Sequence, residues 1–231
     1  MESHSFIDIF ATKGIEYLIV IGFMLVFAGF ASWFFSARRR RPARAAGQET
    51  VEWFRVPARL QYHQGHAWVG TGEDGTVSVG IDDFAQKLVG KVEAVELPAV
   101  GASVTQGEKG WTLTVGSRPV PMLCPIDGEV VAVNADVVTK PASINDDPFG
   151  AGWLFRVKPT RARANATSLM SGALALDWTN RTLDKLRLSV SEDVGMVLQD
   201  GGEPIPGLAR AVSGEKWQDT VQEYFHTSDK A

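Results

Sequence analysis

"GTVSVGIDDFAQKLVGKVEAVELPAVG", residues 75–101, decides how the rest of the chain is read. Its first part alternates, placing Val77, Val79 and Ile81 on one face of an extended run. The alternation then stops, and "DDFAQKLVG" reads as a short helix with Asp82 or Asp83 at its start and Gly90 closing it. The same two-residue period returns in "WLFRVKP", residues 153–159, with Trp153, Phe155 and Val157 on one face and Arg156 and Lys158 toward water. In "PIDGEVVAV", residues 125–133, Asp127-Gly128 sits between apolar flanks and predicts a tight turn entering a strand. From Leu60 to Pro159 such short runs are broken by glycine, proline and aspartate, which predicts an all-β domain. Within it, "GEKGWTLTVGSRPVPMLCPIDGEVVAVN", residues 107–134, has the rhythm of a β-hairpin with Val115-Gly116-Ser117-Arg118 at its tip.

The composition of the 231-residue chain, 45% hydrophobic and 22% charged, is that of a folded protein with room for one medium domain and appendages. A net charge of -4 argues against a nucleic-acid partner, because neutralising phosphates requires a basic face. Cys124 is the sole cysteine, so no internal disulfide can form, and its setting suits a small buried filler. The chain has no glycine-rich phosphate loop and no nucleophile elbow, and Ser117 has no base beside it in sequence. His63 and His66, three apart on a segment read as extended, should point to opposite faces and hold no metal with Cys124. A structural role is expected for His66 and solvent exposure for His63. The pairs Asp82-Asp83 and Asp146-Asp147 read as helix caps and turn formers. No catalytic residue, metal ligand, cofactor or small-molecule substrate is expected.

The N-terminus is of a different kind. Residues 15–35, "IEYLIVIGFMLVFAGFASWFF", carry Glu16 as their one charge and are long enough to cross a ~30 Å hydrocarbon core as a helix. Arg38, Arg39, Arg40, Arg41 and Arg44 follow, which by the positive-inside rule leaves residues 1–14 outside and the remainder cytoplasmic at the inner membrane. Residues 36–57 then read as a basic juxtamembrane linker whose arginines lie on anionic lipid.

Beyond a β domain spanning 58–160, residues 161–231 read as a small α/β extension. "TRARANATS", residues 160–168, is polar and predicts a flexible connector. Residues 213–225, "SGEKWQDTVQEYF", place Trp217, Val221, Tyr224 and Phe225 along one stripe of an amphipathic helix. That stripe fits two roles equally: docking onto the chain's own β domain, or contact with another subunit.

Residues 60–159 resemble the H protein of the glycine cleavage system, a lipoyl-domain relative. The resemblance rests on "YHQGHAWV" (62–69), on residues 75–101, on "PIDGEVVAVN" (125–134) and on "INDDPFGAGWLFRVKP" (144–159), in that order. It implies a mainly β, barrel-sandwich-hybrid fold whose cargo site is an exposed hairpin turn reading roughly Glu-Ser-Val-Lys-Ala, with lipoate joined to the lysine. Counting from Gly107-Glu108 on one side and Pro125 on the other puts Ser117, flanked by Gly116 and Arg118, at the lysine position and Thr114 at the acid. Pro119 and Pro121 stiffen the far arm. Serine offers no amine for an amide, and Lys109 and Lys140 fall away from the tip, so lipoylation is not expected. The resemblance and the apolar run together imply a non-catalytic accessory or scaffold subunit on the cytoplasmic face of a bacterial membrane complex, of respiratory or hydrogenase type. Integral membrane subunits and lipid would then be its partners. The alternatives are a lipoyl-type carrier in glycine cleavage or one-carbon metabolism, and an assembly or regulatory factor that mimics a carrier domain.

Overall fold

The computed structural model describes residues 17–30, 50–72, 74–189 and 206–228. The chain divides into two compact units, Met1–Gln48 and Glu49–Ala231.

In the first unit residues 17–30 form helix α1, and every one of them is exposed. Its large apolar side chains run from 54% exposed at Phe30 to 72% at Val26. At 1.5 Å per residue the described helix is about 21 Å long, short of the ~30 Å hydrocarbon core. Among the described residues no helix is long and apolar enough to cross a membrane. The span expected over 15–35 is therefore not supported; the ends of that run, and Arg38 to Arg41 and Arg44, lie outside the described residues.

The second unit is mainly β. Residues 50–57, read from sequence as the end of a linker, instead open it as a hairpin of β1 (Thr50–Val51) and β2 (Phe54–Arg55), with Val51, Phe54 and Val56 buried. A seven-stranded sheet runs in the order β12 (Met170–Ser171), β3 (Gln61–Tyr62), β4 (Ala67–Thr71), β5 (Val77–Ile81), β11 (Phe155–Pro159), β10 (Gly128–Val133), β7 (Ser103–Val104). A three-stranded sheet joins β6 (Ala94–Glu96), β8 (Lys109–Val115) and β9 (Arg118–Leu123). The two sheets share one core, in which Val79, Ile81, Leu113, Val120, Met122, Phe155 and Val157 are at most 0% exposed. Val77, Val79 and Ile81 do share the buried face.

Helix α2 (Asp83–Val89) follows β5 at once. The Asp82 carboxylate accepts from Ala85 N at 2.7 Å, and Gly90 ends the helix at φ 82°. Three short helical turns, α3 (Ala135–Thr139), α4 (Ser143–Asp146) and α5 (Ala162–Ala166), link later strands.

Trp153 and the Asp127-Gly128 pair depart from expectation. Trp153 precedes β11, so the strand period does not reach it; Leu154 is buried instead, its N–H on Val79 O at 2.8 Å, while Trp153 is half-buried beneath the Arg156 guanidinium. Gly128 is a strand residue at the closest approach of β10 to β11: a Cβ there would overlap the Lys158 carbonyl. Asp127 forms no tight turn with it. Its carboxylate accepts from Gln106 N, Asn165 Nδ2 and Arg161 Nε at 2.7, 2.8 and 2.8 Å.

The polar connector is equally tied down. Asn165 is buried within α5, donating to Asp127 and to Gln106 Oε1 at 3.0 Å and accepting from Asp127 N at 3.1 Å. After β12 comes α6 (Gly172–Ser189), one continuous helix inside the extension, which no sequence signal singled out. Its buried positions 175, 176, 179, 182, 183 and 186 keep a helical period, but two of them are threonines, which blur the apolar stripe. The chain ends in α7 (Leu208–Ser213), a 3₁₀ turn (Gly214–Lys216) and α8 (Trp217–Tyr224).

Candidate functional site at the hairpin tip

The tip is built by β8 and β9. Trp111, Leu113 and Val115 on one arm and Val120 and Met122 on the other face the core, which fixes the register Val115↔Arg118 and leaves two residues to turn the chain. Those residues, Gly116 at φ 56° and Ser117 at φ 61°, are both left-handed, the pattern of a type I′ hairpin turn. Glycine adopts this freely; for serine it costs of order 1 kcal/mol. Pro119 and Pro121 lie on β9, an edge strand, where a missing N–H breaks no ladder.

Ser117 is exposed, and its N–H donates to Glu93 Oε2 at 3.0 Å. Glu93 is held there by its own N–H on Thr114 O at 2.8 Å, just before β6 pairs Ala94 with Thr114. The C-terminal helices close on the tip from another side. Gln218 Nε2 of α8 donates to Pro119 O at 2.9 Å. The Arg210 guanidinium of α7 lies over the Trp217 ring at 4.7 Å and against Gly116, where any Cβ would overlap it. Lys109 pairs with Leu123 at the far end of the hairpin, six strand residues or about 20 Å from the tip. The strand register therefore keeps the Lys109 amine away from the turn.

The stripe Trp217, Val221, Tyr224 and Phe225 lies in the main core, each residue at most 5% exposed. The Tyr224 ring packs on Phe84 at 5.6 Å and Phe225 on His66 at 5.9 Å. Of its two readings, the structure has docking on the chain's own β domain, and these side chains offer no free surface to another subunit.

The histidines depart from expectation. Residues 63–66 are a turn, with His66 N donating to His63 O at 3.0 Å and His66 at φ 59°, so the two rings are not sent to opposite faces and His63 is buried at 3%. Burial first, then the charges of His226 and His66, lower the His63 pKa to about 4. His66 Nδ1 bonds Asp82 Oδ2 at 2.8 Å, and its ring stacks on Phe84 at 4.5 Å and meets Trp178 at a tilt at 4.6 Å. Trp178 gave no sign of this role in sequence because it belongs to the helix that was not foreseen. Among the described residues no group of three or more His, Cys, Asp or Glu side chains could hold a metal ion. Cys124 is buried, and burial pushes its thiol up to about 11. Asp82 is a cap as expected. Asp83 does more, taking Arg55 N at 2.8 Å, Gln86 Nε2 and Lys87 Nζ on its buried carboxylate. Asp147 closes a turn on Ala151 N at 2.8 Å.

Comparison with known proteins bears on this geometry. A family described as "Glycine cleavage H-protein" matches residues 60–180. The glycine cleavage system H protein of Neisseria meningitidis serogroup C is 44% identical over 104 residues, 45% of this chain and 81% of the relative. That of Chromobacterium violaceum is 42% identical over 118 residues, 51% of this chain and 91% of the relative. A crystal structure of the Mycobacterium marinum glycine cleavage system H protein is 30% identical, covers 55% of this chain and 98% of its own, and superposes with a TM-score of 0.47. These names favour the glycine-cleavage alternative over a subunit of a membrane electron-transfer complex, for which they give no support. Helices α7 and α8 lie outside the matched residues. A match over more than half of the chain, together with identities above 40% across most of each relative, makes this chain a member of the glycine cleavage H-protein family.

Proposed function

We propose that this chain acts as a lipoyl-free member of its family, a carrier-shaped docking protein that engages enzymes recognising H proteins without bearing the covalent cargo. The observation that carries the reading is Ser117 at the second turn position. A serine hydroxyl cannot form the amide that a lysine ε-amine forms with lipoate, and about 20 Å of rigid β-hairpin separates the tip from Lys109. The β domain around the tip is otherwise that of the family.

The test uses the full chain as a competitor. Added in excess to a glycine cleavage reaction run with a limiting lipoylated H protein, it should lower the rate in a dose-dependent way that saturating H protein relieves. The same chain, expressed with lipoate and a lipoate ligase, should show its unmodified intact mass. Unchanged rates at every excess would refute the docking role.

A second reading has support in the relatives' own name: a working carrier loaded on a lysine away from the tip. A mass increase corresponding to one lipoyl amide would select it. The apolar sequence of residues 15–35 and the exposed side chains of α1 support tethering of this module to the inner membrane, with Arg38 to Arg41 and Arg44 on the cytoplasmic side. Alkaline carbonate extraction tests this, and release into the supernatant would remove the tether.

A further inference from the structure

We propose that Arg210 is a specificity determinant of the hairpin tip: the C-terminal helix pair acts as a built-in cap, and this cap bars carrier-modifying enzymes independently of the missing lysine. The proposal rests on the lipoyl-free reading of Ser117 and adds a second, separable barrier.

Residues 206–228 fall outside the family match, which ends at 180, yet Arg210 and Gln218 bring them onto one flank of the hairpin tip. Three contacts hold them there. The Gln218 side chain is bonded to Pro119 O at 2.9 Å, two residues past Ser117. Trp217, Val221 and Phe225 anchor α8 in the core beneath, at 4, 0 and 0% exposure. Arg210, its planar group fixed over Trp217 at 4.7 Å, packs against the backbone of the turn.

The turn is matched to this contact. At Gly116 a single Cβ would overlap the Arg210 guanidinium, so the branched side chain that the resemblance places one residue before the lysine could not coexist with Arg210 in this position. Gly116 thus answers two demands at once, a left-handed φ of 56° and clearance for the guanidinium. Glu93, bonded to Ser117 N at 3.0 Å, clasps the turn from the β6 side. An enzyme that modifies a carrier lysine must surround the turn on several sides. Here α7 takes one of those sides, and a bulky, always-charged group sits beside the modified position.

The experiment restores the lysine and varies the cap. Full-length Ser117→Lys and Ser117→Lys/Arg210→Ser proteins are each treated with lipoate ligase, ATP and lipoic acid, with the N. meningitidis H protein as reference, and modification is followed by intact mass. Circular dichroism and thermal midpoints establish that both variants are folded, and the midpoints also read what is lost when the exposed Arg210 side chain no longer covers Trp217. The expected result is that Ser117→Lys is modified at least 10-fold more slowly than the reference and that Arg210→Ser recovers most of that deficit. Equal rates in the two backgrounds, whether fast or slow, would overturn the cap, as would a Ser117→Lys protein modified as readily as the reference. Lipoylation of the wild-type chain, by contrast, would overturn the lipoyl-free reading and leave the cap to be judged by the variants.

Discussion

Acidification from pH 7.5 to pH 5 should weaken this fold through one side chain, His63. It is buried at 3% exposure, its Nδ1 accepts Gly65 N at 3.1 Å, and its pKa falls from 6.5 to about 4. An unfolded chain binds this proton below about pH 6.5, whereas the folded chain resists it down to about 4. Between those values the unfolded state holds more protons, so stability rises with pH and is lost as pH falls. The ceiling of the effect, about 2.5 units at 1.36 kcal/mol each, is about 3 kcal/mol. At pH 5 the same linkage gives a loss of about 2 kcal/mol relative to pH 7.5. Asp127 acts in a lower window. Asp127, held below the usual carboxylate range chiefly by the Gln106 N–H, contributes stability that is present above about pH 4 and lost only as pH falls through its lower folded value. The assay is urea unfolding by tryptophan fluorescence at pH 7.5, 6 and 5, on the wild type and on His63→Asn, whose Oδ1 can still accept from Gly65. The wild type should lose about 2 kcal/mol while the variant stays nearly flat. Parallel losses in the two proteins, or a flat wild type, would refute the assignment.

Other substitutions follow from single contacts. Phe225→Ala, at a site with 0% exposure, should cost about 3 to 5 kcal/mol in urea unfolding, whereas Gln218→Ala, which removes one exposed bond to Pro119 O, should cost less than about 1 kcal/mol. Gly80→Ala should lower the thermal midpoint by several degrees, because its Cβ would come within 2.5 Å of the Trp68 indole, itself bonded through Nε1 to Pro148 O at 3.0 Å; an unchanged midpoint would mean that the ring yields freely. Asn165→Ala should cost about 1 to 3 kcal/mol by stripping Asp127 and Gln106 of partners, with hydrogen exchange rising along 160–168.

What the sequence made legible was what local rules control. The β5 alternation, the Asp82 cap and the Gly90 stop depend on neighbours within four residues, and the residues at 77–90 obey them. The hairpin tip was legible too, since counting from both arms reached the same Ser117. What failed was decided by distant partners. Asn165 turns a polar connector into a docked helix only because Asp127 and Gln106 lie opposite it, 38 and 59 residues earlier. Likewise His63 is buried because 63–66 turns rather than extends, a geometry locked by Asp82 on His66 from 16 residues away. Arg210 over Gly116 joins positions 94 residues apart, and no period within either segment announces it.

Asp82 shows how these distant contacts reach the tip. One of its oxygens caps α2 at Ala85 N and the other holds His66 Nδ1, so the turn at 63–66 and the helix are fixed by one buried carboxylate. His66 in turn presents its ring to Phe225, and Phe84 of α2 presents its ring to Tyr224. The seat of α8 is therefore made by the same residues that form the core of the family fold, not by a separate interface. Through Gly207 N on Lys87 O at 2.8 Å, α7 is fastened to α2 as well. A cap seated in this way cannot be lifted from the hairpin without exposing Trp217, Val221 and Phe225, side chains that at 4, 0 and 0% exposure each keep about 1.5 to 3 kcal/mol of burial. Opening by thermal fluctuation alone would cost a large part of a domain's 5 to 15 kcal/mol, so the helix pair stays seated on the flank of the hairpin in the folded chain, and the exposed Arg210 side chain is kept at the turn by its contact with Trp217.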